Sequence, residues 1–395
     1  MPLRKLLSLI VITLTCAVTG ANAQPPCPGV SEFATGLNGP VKLILSQQRN
    51  LLVTETGDGI NAGRISIVDR NGARRTLLDG LPSAVNAVGE RSGPTGLLMR
   101  GRTLYVAIGE GDTTLQGPIP GVTQIANPSP SSPIFNSVLA IHFSAHVEKT
   151  TDGFTLNPET DYAALDSGAR LRLDNGRGDK LTVELVVDFP DFVPNPLPFL
   201  PNFPNVRNSN PFALELIGNQ LYVVDAGLNA VVAVDLSSGD FETLTTFPPI
   251  PNPLPFGPLV VEAVPTSIRE HDGQFLVTLF RGFPFPPGAA EVQSVDPDTG
   301  SRETFITGLT SAIDVLPVKD KGGDTDFLTL EFSANLLVEP PELGRLQFFE
   351  TPAGPPNVIA DCLITPTSMA RDPKTGTLFV TELAFGRIVT VDTSQ

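Results

Sequence analysis

Residues 264–309, VPTSIREHDGQFLVTLFRGFPFPPGAAEVQSVDPDTGSRETFITGL, decide the fold. They hold four short apolar runs, 265–268, 275–279, 291–295 and 303–307, separated by turn residues. Too short for helices and rich in Val, Ile, Phe and Thr, these runs read as strands. His271-Asp272-Gly273 and Asp296-Pro297-Asp298-Thr299-Gly300 supply the left-handed and tight-turn positions that hairpins need. Four strands joined by hairpins form an antiparallel meander. Its two bare edges require neighbours.

The neighbours are further copies of the same unit. A Pro followed by a small or apolar residue opens the first strand at Pro40-Val41, Pro94-Thr95, Pro211-Phe212, Pro265-Thr266 and Pro366-Thr367, and Thr310-Ser311 stands in once. A second β-run ends each second strand: LLVTE at Glu55, LYVAI at Ile108, LYVVD at Asp225, FLVTL at Leu279, FLTLE at Glu331 and LFVTE at Glu382. Six units with a period of roughly 50 residues and four strands each predict an all-β, six-bladed β-propeller. The last unit stops one strand short at Gln395, and EFATGL at residues 32–37 matches ETFITGL at 303–309. The N-terminal segment is therefore expected to complete the last blade and close the ring.

Strand alternation assigns each loop to a face. Short hairpins follow the first and third strands, whereas 109–136, 280–290 and 332–344 after second strands, and 82–93, 191–210 and 248–261 between blades, all emerge on the opposite side. One face is elaborate and the other plain. PNPLPF occurs twice in the elaborate loops, at 194–199 and 251–256, and its proline spacing favours polyproline II segments that stiffen the rim. The exception to the plain face is an insertion at 144–180 within blade two, expected as a flap, in which Asn157-Pro158-Glu159-Thr160 caps a short helix beginning at Asp161.

Residues 1–23 read as a secretory leader: Arg4 and Lys5, an apolar run from Leu6 to Val18, then Ala21-Asn22-Ala23. Residues 24–395 form the propeller, expected to be secreted or periplasmic, with no stretch long enough to span a bilayer. The formal charge is −16, and loss of Arg4 and Lys5 makes it −16 − 2 = −18. Such a balance argues against nucleic acid or an anionic membrane surface as a partner and leaves a small molecule or a protein on the long-loop face. Cys27 and Cys362 remain after the leader; either they pair across the ring closure or they stay as free thiols.

Carboxylates recur after second strands, at Glu55, Asp225, Glu331 and Glu382, with Glu110 and Asp112 nearby. Around a propeller mouth they would hold a cation or act as acid and base; as a repeated feature they would instead cap loop N–H groups. Asp314 is the more pointed residue, because it lies on a channel-lining first strand where other blades carry apolar or small residues. With Glu55, Asn210 and Glu331 it forms the set to examine for a divalent cation such as calcium. The run Asp174–Asp179, written DNGRGD, reads as a polar turn, since it lacks the downstream Glu of a helix-loop-helix calcium site. His142, His146 and His271 are the only histidines; the first two share a face only if their strand runs past Ser144, and His271 is expected in a solvated turn. No nucleophile elbow, phosphate loop or His-Glu-x-x-His helix occurs.

The runs SNPFALELIGNQLYVVDAGLNAVVAVD at 209–235 and GPTGLLMRGRTLYVAIGEGD at 93–112, together with the 264–300 stretch and its FPFPPGAA segment, resemble the ScyD/ScyE family of secreted bacterial proteins. The resemblance spans nearly all of the mature chain and implies a leader and a six-bladed propeller related to NHL-repeat and lactonase-like propellers. It transfers no catalytic residue. The 144–180 insertion and the paired Pro-rich loops depart from its pattern. The expectation is an exported propeller that binds a ligand or protein through its acidic long-loop face. The alternatives are a metal-dependent lactonase-like hydrolase at the central channel and a quinoprotein sugar dehydrogenase-like enzyme.

Overall fold

The computed structural model describes residues 27–119, 121–319 and 322–393. The leader expected over residues 1–23 lies outside the described residues. Six antiparallel sheets form the blades of a β-propeller. Blade four is Pro265–His271, Gln274–Leu279, Ala290–Val295 and Arg302–Leu309 in spatial as well as sequence order. Blades three and five repeat that order, opening on Pro211–Ile217 and Ala312–Lys319. Blades one and two open on Pro40–Leu45 and Pro94–Arg100 and each gain a fifth strand from the insertion. In blade six, Pro366–Arg371, Leu378–Glu382 and Arg387–Val391 are completed by Val30–Ala34, which pairs antiparallel with Arg387–Val391. The chain closes its own ring.

The first strands lie side by side around the axis, each against the first strands of both neighbouring blades. Their Pro marker has a physical cause. Each first strand shifts register immediately after Pro40, Pro94, Pro211, Pro265, Ala312 or Pro366. Proline brings no N–H to the ladder, so a bulge beside it frees backbone groups and re-aims the next side chains. The hydroxyls of Thr95, Thr266 and Thr367 use that freedom, donating to the carbonyls of Pro211 (2.7 Å), Ala312 (3.2 Å) and Pro40 (3.1 Å). Blades two, four and six each hold the next blade by this bond.

Apolar burial sits between blades rather than at one centre. Leu52, Ile67 and Leu77 of blade one pack with Leu104, Ile141 and Val183 of blade two, and Leu43 and Leu51 of blade one with Phe379 and Ile388 of blade six. A core divided among interfaces lets a chain of this length escape the usual single-core limit.

The insertion is not a flap on the plain face. Ser144 caps the helix Ala145–Thr150; the chain then climbs the outer edge, where Phe154–Thr155 pairs in parallel with Arg74–Leu81 of blade one. The helix Asp161–Asp166 follows, and Leu171–Asp174 pairs with the fourth strand of blade two, Lys180–Asp188. Val147, Phe154, Leu156, Tyr162 and Leu165 are buried in the cluster shared by the two blades. Burying five large apolar side chains is what turns the insertion into a wedge. Glu148, fully buried, anchors its start to Arg102 (2.8 Å) and Asn50 (3.1 Å). A disulfide joins Cys27 to Cys362, with Cα atoms 5.8 Å apart, and ties the ring-closing strand to blade five.

Candidate functional site

Two residues after the opening position of each first strand, the channel is lined by Lys42, Gly96, Ala213, Ser267, Asp314 and Ser368. Four small side chains leave room for one lysine and one aspartate. The two meet: Lys42 Nζ lies 3.2 Å from Asp314 Oδ2. Arg269, two positions further along blade four's first strand, reaches both Asp314 oxygens at 3.0 and 3.2 Å. Ser368 Oγ (3.3 Å) and the Met369 N–H (3.1 Å) also donate to Asp314. Asp314 is fully buried and Lys42 nearly so.

Burial alone would raise the Asp314 carboxyl, but the Arg269 and Lys42 charges and the Met369 N–H outweigh it and hold the group below its usual range. Burial pulls the Lys42 ammonium down to about 8, opposed by the Asp314 charge and aided by that of Arg269. Asp314 is therefore ionised and Lys42 protonated at neutral pH, and with the Arg269 guanidinium the cluster brings two cationic side chains to one carboxylate. It locks blades one, four, five and six across the axis. Both Asp314 oxygens are engaged by these two resident cations.

The other members of that set stand apart from Asp314. Glu55 accepts from the Asn38 N–H (2.5 Å), from the Ser66 hydroxyl and from Arg74 (3.2 Å). Glu331 accepts from the Thr310 N–H (2.6 Å) and Arg345 (2.5 Å), and Glu382 from the Ile364 N–H (2.6 Å) and Arg387 (2.5 Å). Asp225 accepts from the Asn210 N–H at 2.9 Å. Each carboxylate pins the segment leading into the first strand of its own blade. Glu55, Glu331 and Glu382 also hold an arginine of that blade. Asn210 has a buried Oδ1 without a hydrogen-bond partner. Among the described residues, no three His, Cys, Asp or Glu side chains are placed to hold one metal ion.

The histidines do not assemble a base at the channel mouth. His142 sits between Glu184 (2.5 Å) and Thr103 (2.9 Å). The strand ends at Phe143, so His146 turns away on the short helix, exposed and 3.7 Å from Asp179. His271 is not solvated as expected; it packs edge-on against Phe327 and Phe305. Asp174–Asp179 forms a polar turn in which Asp174 Oδ1 accepts from the Gly176 N–H at 2.8 Å.

On the elaborate face, Glu110 is buried between the side-chain amides of Asn86 (2.8 Å) and Asn208. Burial pushes its carboxyl up to about 8, against the two amides, which favour the charged form. The two PNPLPF loops are not free rims. Phe192–Pro194 pairs with Val206–Asn208, and Ile250–Pro251 with Val260–Val261, so each rises as a two-stranded arm. Asn252 Nδ2 donates to the Phe256 and Pro258 carbonyls, both at 2.7 Å, and closes one tip on itself. Phe199, Phe256 and Leu259 are left exposed, Leu259 to 92%.

Sequence reasoning missed Lys42, Arg269 and the amide cradle of Glu110. The first was within reach: Lys42 in PVKLIL and Asp314 in SAIDVLP occupy the same position after the strand opening, so their opposite charges were bound for one layer of the channel.

Fold and site together define a closed six-bladed β-propeller with an ion-locked axis. No protein-family model matches the chain, and no curated protein matches it. Among solved structures, an auxiliary nutrient binding protein from Bacteroides thetaiotaomicron aligns with a TM-score of 0.51 at 10% identity, covering 92% of this chain and 76% of that one. The PQQ-bound aldose sugar dehydrogenase of Streptomyces coelicolor aligns with a TM-score of 0.51 at 13% identity, over 93% and 99% of the two chains. Likeness at such identities is likeness of fold.

Proposed function

We propose that the chain is an exported binding propeller of the ScyD/ScyE type, whose long-loop face docks a protein segment carrying cationic and apolar side chains. One observation carries this reading. Among the described residues, every exposed large hydrophobic except Ile217, Phe241 and Val358 lies in a loop of that face. Exposed apolar side chains gathered on one side mark interaction surfaces. Acids stand beside them: Asp58 near Ile60, Glu339 after Val338, and Glu342 before Leu343, all exposed. A basic, apolar partner complements both properties.

Export is supported by the leader-like residues 1–23 and by the Cys27–Cys362 disulfide, a bond that persists in oxidising compartments. No helix of the described residues is long and apolar enough to cross a membrane.

Peptide panning tests the docking reading. Random peptides are selected on the native protein and compared on a Phe199→Ser/Phe256→Ser/Leu259→Ser variant. The expected result is enrichment of sequences rich in Lys or Arg and aromatics that lose about tenfold in affinity, or roughly 1.4 kcal/mol, on the variant. Selected peptides that bind both proteins equally would sink the reading.

A further inference from the structure

The insertion leaves blade two after Phe143 and rejoins it at Lys180, at the plain end of the blade, and there it borders an open basin of about 370 Å³. The strand registers set Thr103, His142, Thr182 and Arg172 opposite one another on four adjacent strands. Directly opposed residues share a face, so the four side chains form one row across the sheet. Arg102 and Lys180 join the row in lining the basin, and among the described residues no Asp or Glu lines it. In a chain of formal charge −16 this is a local reversal of sign.

Much of the surrounding charge is already matched. Arg102 Nη1 holds the buried Glu148 at 2.8 Å, and its Nε donates to the Phe143 carbonyl at 3.1 Å. Lys180 stands 3.5 Å from Asp174, and Glu184 lies between His142 at 2.5 Å and Arg170 at 3.2 Å. Arg172 is different. It is exposed, and among the described residues it has no hydrogen bond, ion pair or ring contact. The hydroxyl of Thr182, its cross-strand partner, also has no hydrogen-bond partner there, and it is not sealed off from solvent. The basin thus offers a guanidinium and a hydroxyl that are both open and both uncommitted.

We infer that this basin binds a phosphate group through Arg172, with Thr182 as the second donor. The planar fork of guanidinium N–H groups matches two phosphate oxygens, and the hydroxyl serves a third. Lys180 adds charge, since an exposed pair such as its contact with Asp174 is weak and easily exchanged. The net charge of the chain opposes any anion, but at physiological salt charges beyond about 8 Å are screened, so the local surplus decides. The volume lies within the range of small-molecule pockets, which favours a phosphate carried on an organic molecule over the free ion. Arg172 comes from the insertion, so site and insertion are one feature. The basin faces away from the long-loop surface, and peptide docking there is independent of it.

Calorimetric titration in phosphate-free, low-salt buffer with glycerol phosphate, inorganic phosphate and glycerol tests the inference. Glycerol phosphate is expected to bind with a dissociation constant on the order of 1 mM or tighter, and Arg172→Gln to weaken it about tenfold. Arg172 is exposed and unpartnered, so the variant folds; circular dichroism confirms it. Arg302→Gln removes an equal charge from an exposed position of blade four and should leave binding unchanged. Tighter binding of glycerol phosphate than of inorganic phosphate assigns a carried group as the source, and equal or weaker binding assigns the free ion. Failure of both anions, binding of glycerol as tight as that of its phosphate, unchanged binding by Arg172→Gln, or the same loss in Arg302→Gln would overturn the inference.

Discussion

Replacing Asp314 by Asn isolates the axial lock. The side chain keeps its shape and loses its charge, so Lys42 and Arg269, 3.0–3.2 Å from the carboxylate in the native protein, become two like charges that have lost their contacting carboxylate, with the more distant Glu215 as the remaining acidic neighbour of Lys42. Breaking a buried pair from one side costs about 3–5 kcal/mol, because the orphaned charge keeps its desolvation penalty. That is a large part of a domain stability of roughly 5–15 kcal/mol. The chain has no tryptophan, so urea unfolding is followed by far-ultraviolet circular dichroism. The pH dependence supplies a second readout. Asp314 has a depressed carboxyl, so its contribution is present above the unfolded value of about 3.9 and is lost as pH falls through the lower folded value. Lys42 is depressed to about 8, so the unfolded chain holds that proton more tightly and wild-type stability rises with pH from about 8 to 10.5. Lys42→Met should abolish that rise, and the apolar triple replacement Lys42→Met/Arg269→Met/Asp314→Leu should recover most of the loss. An Asp314→Asn protein within about 1 kcal/mol of wild type would refute the account of the lock.

Three other outcomes are expected. Glu55→Gln, Glu331→Gln and Glu382→Gln each remove a charge from one arginine and one backbone N–H, so each should lower stability by about 1–3 kcal/mol in urea unfolding. Glu110 has a carboxyl raised to about 8; the stability that it supplies is complete below its unfolded value of about 4.3 and is lost as pH rises through 8, so Glu110→Gln should gain on wild type above that pH in the same assay. Cys27→Ser should cost about 2–5 kcal/mol and speed hydrogen exchange first in Val30–Ala34, the strand that the disulfide holds in blade six; exchange rates matching the parent would contradict this.

The blade pattern was legible because it is local: alternation, turn residues and a Pro-small opening recur within each unit, and each is a short-range property of the backbone. Closure of blade six by Val30–Ala34 was legible for the same reason, since a missing fourth strand and a matching orphan segment are both written in the chain. The role of the repeated carboxylates was half legible. Their repetition pointed to a backbone task, but the arginines that share them, Arg74, Arg345 and Arg387, lie at separations that differ from blade to blade.

The sequence by itself determined a six-bladed propeller, its closing strand and the unequal richness of its faces, because hydrogen-bonded ladders follow from alternation and turns. Only the tertiary structure decided what the chemistry-bearing residues do. Asp314 meets Lys42, 272 positions away, because ring closure brings blades one and five to one axis. The insertion became a wedge because Tyr162, Phe154 and Leu165 found the crevice between blades one and two. Burial against distant partners sets charge state, accessibility and role, and no local pattern encodes which distant partner arrives.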